Sequence, residues 1–224
     1  MSCWSAENAT KAYIRTMNMD LVQGENAKEL NGAEFISALA AGNNAQLIVV
    51  ACAGAADAIT LALAAASQQT GGRVVCILPG LEELCCSKLT LGTKTNAGHV
   101  DFIVGNPQEL LSKHYKEADF LAIDCNLENH EEILRSVQGS ARYNNTVILG
   151  YNAFCKQSWR SSSLRISLLP IGEGLLLTRI AAKNTKINRP GMQKRGHWIV
   201  KVDKCTGEEH VFRVRSPQRR VIEA

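Results

Sequence analysis

The chain has 224 residues, of which 46% are hydrophobic, 21% charged and 5% aromatic, with a formal net charge of +4. That balance excludes an unstructured polar polymer, and a chain of this length buries roughly 70% of its unfolded surface, so it needs no disulfide or metal staple to fold. The positive charge is local: residues 1–185 hold 15 Lys/Arg against 17 Asp/Glu, whereas residues 186–224 hold 10 against 4.

An amphipathic helix is expected over residues 5–17, with Tyr13, Ile14 and Met17 on one face and Ser5 able to cap it. A second helix over 32–41 buries Phe35, Ile36 and Leu39. Apolar runs rich in β-branched residues then fall at 46–52, 73–78, 100–104, 119–124 and 146–150. Helical patterns at 57–68, 82–91, 107–114 and 128–138 lie between them. Strands that are apolar along their whole length and joined by helices predict a parallel sheet covered on both faces. The alternation stops after Ser163, where 164–169 and 174–182 flank Pro170-Ile-Gly-Glu173 and read as a strand pair. The expected fold class is therefore α/β, a doubly wound Rossmann-like sheet of seven strands with antiparallel pairing at its edge. The strand from Gly174 runs against the rest.

A basic linker over 185–195 leads to a hairpin, 197–204 and 210–214, turning at Cys205-Thr206-Gly207. This divides the chain into an α/β domain, 1–185, and an extension, 186–224. Alternation sets Trp198, Val200 and Val202 against Ile199, Lys201 and Asp203, and a basic face of Lys201, Arg213 and Arg215 is expected. A lone hairpin is marginal, so its apolar side should dock on the main domain or on a second copy of the chain. Nucleic acid is the less favoured partner, because the hairpin offers no obvious stacking surface.

Residues 47–66 carry a single charge over a membrane-spanning length, but Asp57 lies near the middle, where a carboxylate costs about 2.5–3.5 kcal/mol. The stretch reads as strand, turn and helix, so no membrane span is expected. The eight cysteines include no C-x-x-C pair. Without a signal-peptide pattern at the N-terminus, free thiols and a cytoplasmic or nuclear location are expected.

In a doubly wound sheet ligands bind beyond the carboxyl ends of the strands. The turn Ala51-Cys-Ala-Gly-Ala-Ala-Asp57 follows the first strand and opens a helix, where small residues let a ligand approach free N–H groups. Its only glycine is Gly54, so it is no G-x-G-x-x-G fingerprint, and Asp57 can equally serve as a helix cap. Asp124 stands at the tip of the fourth strand, to face the crevice or to hold the next loop's backbone. Ala53, Gly54, Asp57, Asn106 and Asp124 form the candidate cofactor set, with Asn126, His130 and Asn152 around the crevice. Of the five histidines only His130 is placed near it, and a surface position suits it best. No Ser-His-Asp arrangement or paired-histidine spacing occurs, and no residue stands out as catalytic.

These segments resemble class I S-adenosylmethionine-dependent methyltransferases, in particular the small catechol and caffeoyl-CoA type O-methyltransferases. The resemblance covers about residues 5–183 and is carried by Glu34-Phe-Ile-Ser-Ala-Leu39, the 47–66 strand–loop–helix, Phe102-Ile-Val-Gly-Asn106, Asp119-Phe-Leu-Ala-Ile-Asp124 and Leu169-Pro-Ile-Gly-Glu-Gly-Leu175. The whole chain resembles a plant family catalogued as a domain of unknown function. The resemblance implies S-adenosylmethionine as cofactor, yet several key positions differ. The acidic residue opening the cofactor motif falls at Ala51, and its glycines fall at Ala53 and Asp57. The carboxylate that would hold the ribose falls at Leu78 or Pro79, and the third-strand Asp is Asn106. Of three implied magnesium ligands Asp124 and Asn152 match, but the third falls at Tyr151; the implied active-site Lys falls at Leu127. No metal is therefore expected, because Mg²⁺ needs several oxygen ligands and these offer one charge. Three readings follow: a methyltransferase-like enzyme with an unidentified acceptor, a non-catalytic module binding a small molecule or protein on the same fold, and an anionic-partner binder using the basic hairpin.

Overall fold

A computed structural model of the chain describes residues 4–23, 32–92, 100–140, 145–155, 166–180, 196–202 and 209–215. Two helices come first, α1 (Ala6–Gln23) and α2 (Gly32–Gly42). Then β1 (Leu47–Ala51), α3 (Ala58–Thr70), β2 (Arg73–Leu78), α4 (Leu81–Gly92), β3 (Val100–Val104), α5 (Pro107–Lys113), β4 (Phe120–Asp124), α6 (His130–Gly139) and β5 (Val147–Tyr151) alternate. Two short strands, β6 (Ser167–Leu169) and β7 (Leu175–Arg179), end the sheet. The first helix runs past Met17, and α6 starts at His130 rather than Glu128. There Asn129 takes the cap position without a side-chain bond. The expected 164–169 strand is shorter, and its first two positions lie outside the described residues.

The sheet order is β3-β2-β1-β4-β5-β7-β6. The first five strands are parallel, and β7 runs antiparallel to both β5 and β6. Period two sorts each strand between two cores. Ile48, Val50, Val74, Cys76, Phe120, Ala122 and Leu149 join Ala12, Ile36, Leu63 and Leu91 from α1–α4. Val49, Val75, Leu121, Ile123 and Ile148 join Leu111 of α5 and Ile133, Leu134 and Val137 of α6. Covering both faces is what makes these strands apolar throughout.

Residues Asn184–Ala224 form a unit of their own, containing β8 (Gly196–Val202) paired antiparallel with β9 (Glu209–Arg215). The turn at 205–207 lies outside the described residues. The register corrects the expected basic face. Trp198 is opposite Arg213 and Lys201 opposite His210, so position 201 shares a face with 199 and 212, not with 213 and 215.

Candidate functional site

Chain crossover happens beside β1, with β2 on one side and β4 on the other, so the loops after β1 and β4 part there. Register sets Asp124 beside Tyr151 and Ala51 beside Ile123. Strand alternation then brings Cys52, Asp124 and Tyr151 to one side of the sheet at its carboxyl end.

Asp124 is the hub. Its Oδ2 accepts from the Ala53 amide at 3.3 Å, and its Oδ1 accepts from the Asn126 amide and from Asn152 Nδ2, both at 2.9 Å. Asn152 holds a left-handed backbone, φ 58°, which turns its amide back toward β4. The carboxylate thus serves both expected roles, facing the crevice and holding the next loop. Gly54 follows Ala53 with open space on the side where a Cβ would project.

Asp57 caps α3, accepting from Ile59 N at 3.1 Å and Thr60 N at 3.2 Å. Much of the residue meets solvent, but its carboxyl is partly desolvated and feels the Asp124 charge. Desolvation by burial, with the Asp124 charge, pushes its pKa above the ordinary Asp value; the Thr60 and Ile59 amides oppose this. A raised carboxyl favours the folded state below the ordinary carboxylate range, and that contribution is lost as pH rises through the folded pKa. Asp57→Asn keeps a capping side chain and removes the titration. Urea unfolding should show the variant gaining on the parent as pH rises from 4 to 7. A gap that narrows or stays flat contradicts this electrostatic account.

Beneath the loop lies a sealed group. Cys52 Sγ is 3.5 Å from Cys76 Sγ and 3.8 Å from Thr60 Oγ1, and Tyr151 OH donates to it at 3.8 Å. Burial pushes the Tyr151 phenol up, and the bond to Cys52 together with burial pushes the Cys76 thiol up. Both are protonated at neutral pH, so neither is a base. A third contact fixes the crevice wall: the Ala56 amide donates to Ser87 Oγ of α4 at 2.8 Å.

Ala53, Asp57, Asp124, Asn126 and Asn152 are brought together, with Gly54 on the same loop. Asn106 is not part of this group. It lies two residues past β3, at the far edge of the sheet, and caps α5, accepting from Gln108 N at 2.9 Å. His130 is corrected as well. It is buried at 6% exposure, its Nδ1 lies 2.7 Å from the Leu127 carbonyl, and its Nε2 is buried without a partner. The residue missed at the sequence level is Ser87, and no motif marks it, since it reaches the loop only through the packing of α4.

The implied magnesium set does not fit. Both Asp124 oxygens already accept hydrogen bonds, and Tyr151 is buried beneath the crevice at 1% exposure. Among the described residues no three or more His, Cys, Asp or Glu gather as a metal site. No helix among them is long and apolar enough to cross a membrane.

The fold is that of the S-adenosylmethionine (SAM)-dependent O-methyltransferases. An SAH-bound methyltransferase from Podospora anserina, PaMTH1, aligns over 82% of this chain and 91% of its own, with TM-score 0.54 and 14% identity. The O-methyltransferase TomG from Streptomyces achromogenes, involved in tomaymycin synthesis and solved with SAM, aligns over 80% and 91%, with TM-score 0.54 and 14% identity. A methyltransferase from Geobacter sulfurreducens aligns over 76% and 89%, with TM-score 0.50 and 19% identity. Within that fold the chain belongs to the family described as protein of unknown function (DUF1442), which matches residues 1–214. No curated protein matches it by sequence.

Proposed function

We propose that this protein binds S-adenosylmethionine in the crevice formed by the loop after β1 and the tips of β2 and β4, as a methyltransferase-like protein that works without magnesium. The observation carrying the reading is the pair Asp57 and Asp124. The Asp124 charge acts on Asp57, and neither carboxylate forms an ion pair among the described residues. Such a cleft attracts a cationic ligand, and this cofactor carries both an ammonium and a sulfonium. Open space over Gly54 gives it room against the loop backbone.

Bound there, the cofactor supplies an electrophilic methyl group. The chain's own residues bind and orient it: Asp124 fixes Ala53 and Asn152, Asp57 holds the start of α3, and Ser87 secures Ala56. Tyr151 and Cys76 keep their protons, so neither serves an acceptor hydroxyl as a base. Acceptors already nucleophilic at neutral pH are therefore favoured. The non-catalytic reading draws on the same loss of base and metal.

Calorimetric titration with SAM and with S-adenosylhomocysteine (SAH) tests the reading. Saturable binding of both, weakened by added salt, is expected. Absence of binding to either at millimolar ligand ends it.

A further inference from the structure

We infer that the exposed face of α4 is the two-fold contact of a homodimer. Leu81, Cys85 and Leu89 of one copy pack against the same residues of a second. Leu81 is 70% exposed and Leu89 74%, the two most exposed large apolar side chains among the described residues. Cys85 lies between them in sequence and is exposed as well. A spacing of four places all three on one stripe of the helix, and Ser87 and Leu91 are buried on its other side. Single exposed leucines are ordinary, whereas apolar residues aligned on one stripe mark a contact surface.

Sequence and charge name the occupant. The chain leaving α4 reads Thr93-Lys-Thr-Asn-Ala-Gly-His99, with no large apolar side chain to cover the stripe. Glu82 and Lys88 are both exposed, and the helical period puts them on opposite borders of the stripe. Neither forms an ion pair among the described residues. One border is thus acidic and the other basic, which a second copy complements. A two-fold axis along the stripe sets each Glu82 against the other copy's Lys88. An axis across it would set Glu82 against Glu82 and Lys88 against Lys88, so charge selects the first arrangement. Rows of residues four apart run obliquely to the helix axis, and packing two such rows together crosses the helices at about 50°. Cys85 then sits at the crossing, where its small side chain lets the backbones approach and its thiol meets that of the other copy.

Sedimentation velocity of the full chain over a concentration series tests the contact. One helix buries less than the roughly 800 Å² per partner of a standard interface, so a monomer–dimer equilibrium in the micromolar range is expected. Leu89→Lys puts a charge into the stripe near the end of α4, where a cation suits the helix. It should abolish the dimer and leave the far-ultraviolet circular dichroism unchanged. Glu82→Lys and Lys88→Glu should each weaken the dimer on the order of tenfold, since symmetry repeats each altered pair, and combining them should restore it. If Leu89→Lys fails to fold, these charge reversals decide. Cross-linking reads the crossing point directly. In a chain with Cys3, Cys86, Cys155 and Cys205 replaced by Ser, the cysteines other than Cys85 are buried, and a short bismaleimide should join two copies through Cys85. A parent that stays monomeric at every concentration overturns the proposal, as does a dimer that survives Leu89→Lys or is not joined through Cys85. A double charge reversal that fails to restore the dimer overturns the assigned axis and its pairing of Glu82 with Lys88.

Discussion

Asp124→Ala is expected to lower the unfolding free energy by about 2–3 kcal/mol and to abolish SAH binding. The carboxylate is only 7% exposed and accepts three hydrogen bonds from partners 71, 2 and 28 residues away in sequence. The Asn126 amide is exposed and can turn to water, so its loss costs little. Ala53 N and Asn152 Nδ2 are half-buried, and donors to a charged acceptor are worth about 1.5–3 kcal/mol each. Relief of the repulsion with Asp57 offsets part of that loss. Asp124→Asn should cost about half as much, because its carbonyl still serves Asn126 and Asn152 while its NH₂ faces the Ala53 amide. Urea unfolding checks the order of the two variants, and calorimetry with SAH checks the ligand. A fully stable Asp124→Ala protein that binds normally would show that the loops after β1, β4 and β5 hold their places without it.

The sheet was legible because its signal is local. Runs such as Leu47–Ala51 and 120–123 are apolar at every position, which only a doubly covered strand requires. The reversal at β7 was announced by Pro170 and Gly172, where φ at Gly172 is 53°, a backbone that side chains rarely adopt. Strand-end chemistry was legible only in part. Asp124 is visible as a carboxylate after four apolar residues, but its bonds to Ala53 and Asn152 depend on which strands are neighbours. Asn106 was grouped with the crevice because it also ends a strand, yet β3 lies two places from β1 in the sheet. His130 sits between Asn129 and Glu131 in a polar stretch, and its burial follows from the packing of α6 against Ile133, Leu134 and Val137. Ser87 carries no motif at all. Its nearness to the loop comes from a helix that doubles back over the strand it follows.

Tyr151→Asp is expected to destabilise the protein by about 4 kcal/mol or more without creating a magnesium site. The phenol closes the core under the crevice at 1% exposure, packed in the cluster that includes Cys52, Leu63 and Leu149. Truncating an aromatic ring in such a place costs about 3–5 kcal/mol, and an unpaired buried carboxylate adds to that. Burial raises the new carboxyl's pKa, so the folded state tolerates it best when protonated. The penalty should therefore be smallest below the ordinary carboxylate range and grow as pH rises through the folded pKa. Tyr151→Phe separates the ring from its hydroxyl. Among the described residues the only partner of that hydroxyl is a thiol at 3.8 Å, so the loss should be about 1 kcal/mol. Urea unfolding of the three proteins at pH 5 and pH 8, with and without magnesium, measures all of this. Magnesium-dependent rescue of Tyr151→Asp, lost again when Asp124→Ala is added, would show that the crevice can still assemble the ligand set whose third position the phenol occupies. The geometry argues against it, because each Asp124 oxygen already accepts from the loops around it, and a metal would have to displace Ala53 and Asn152 before it could bind.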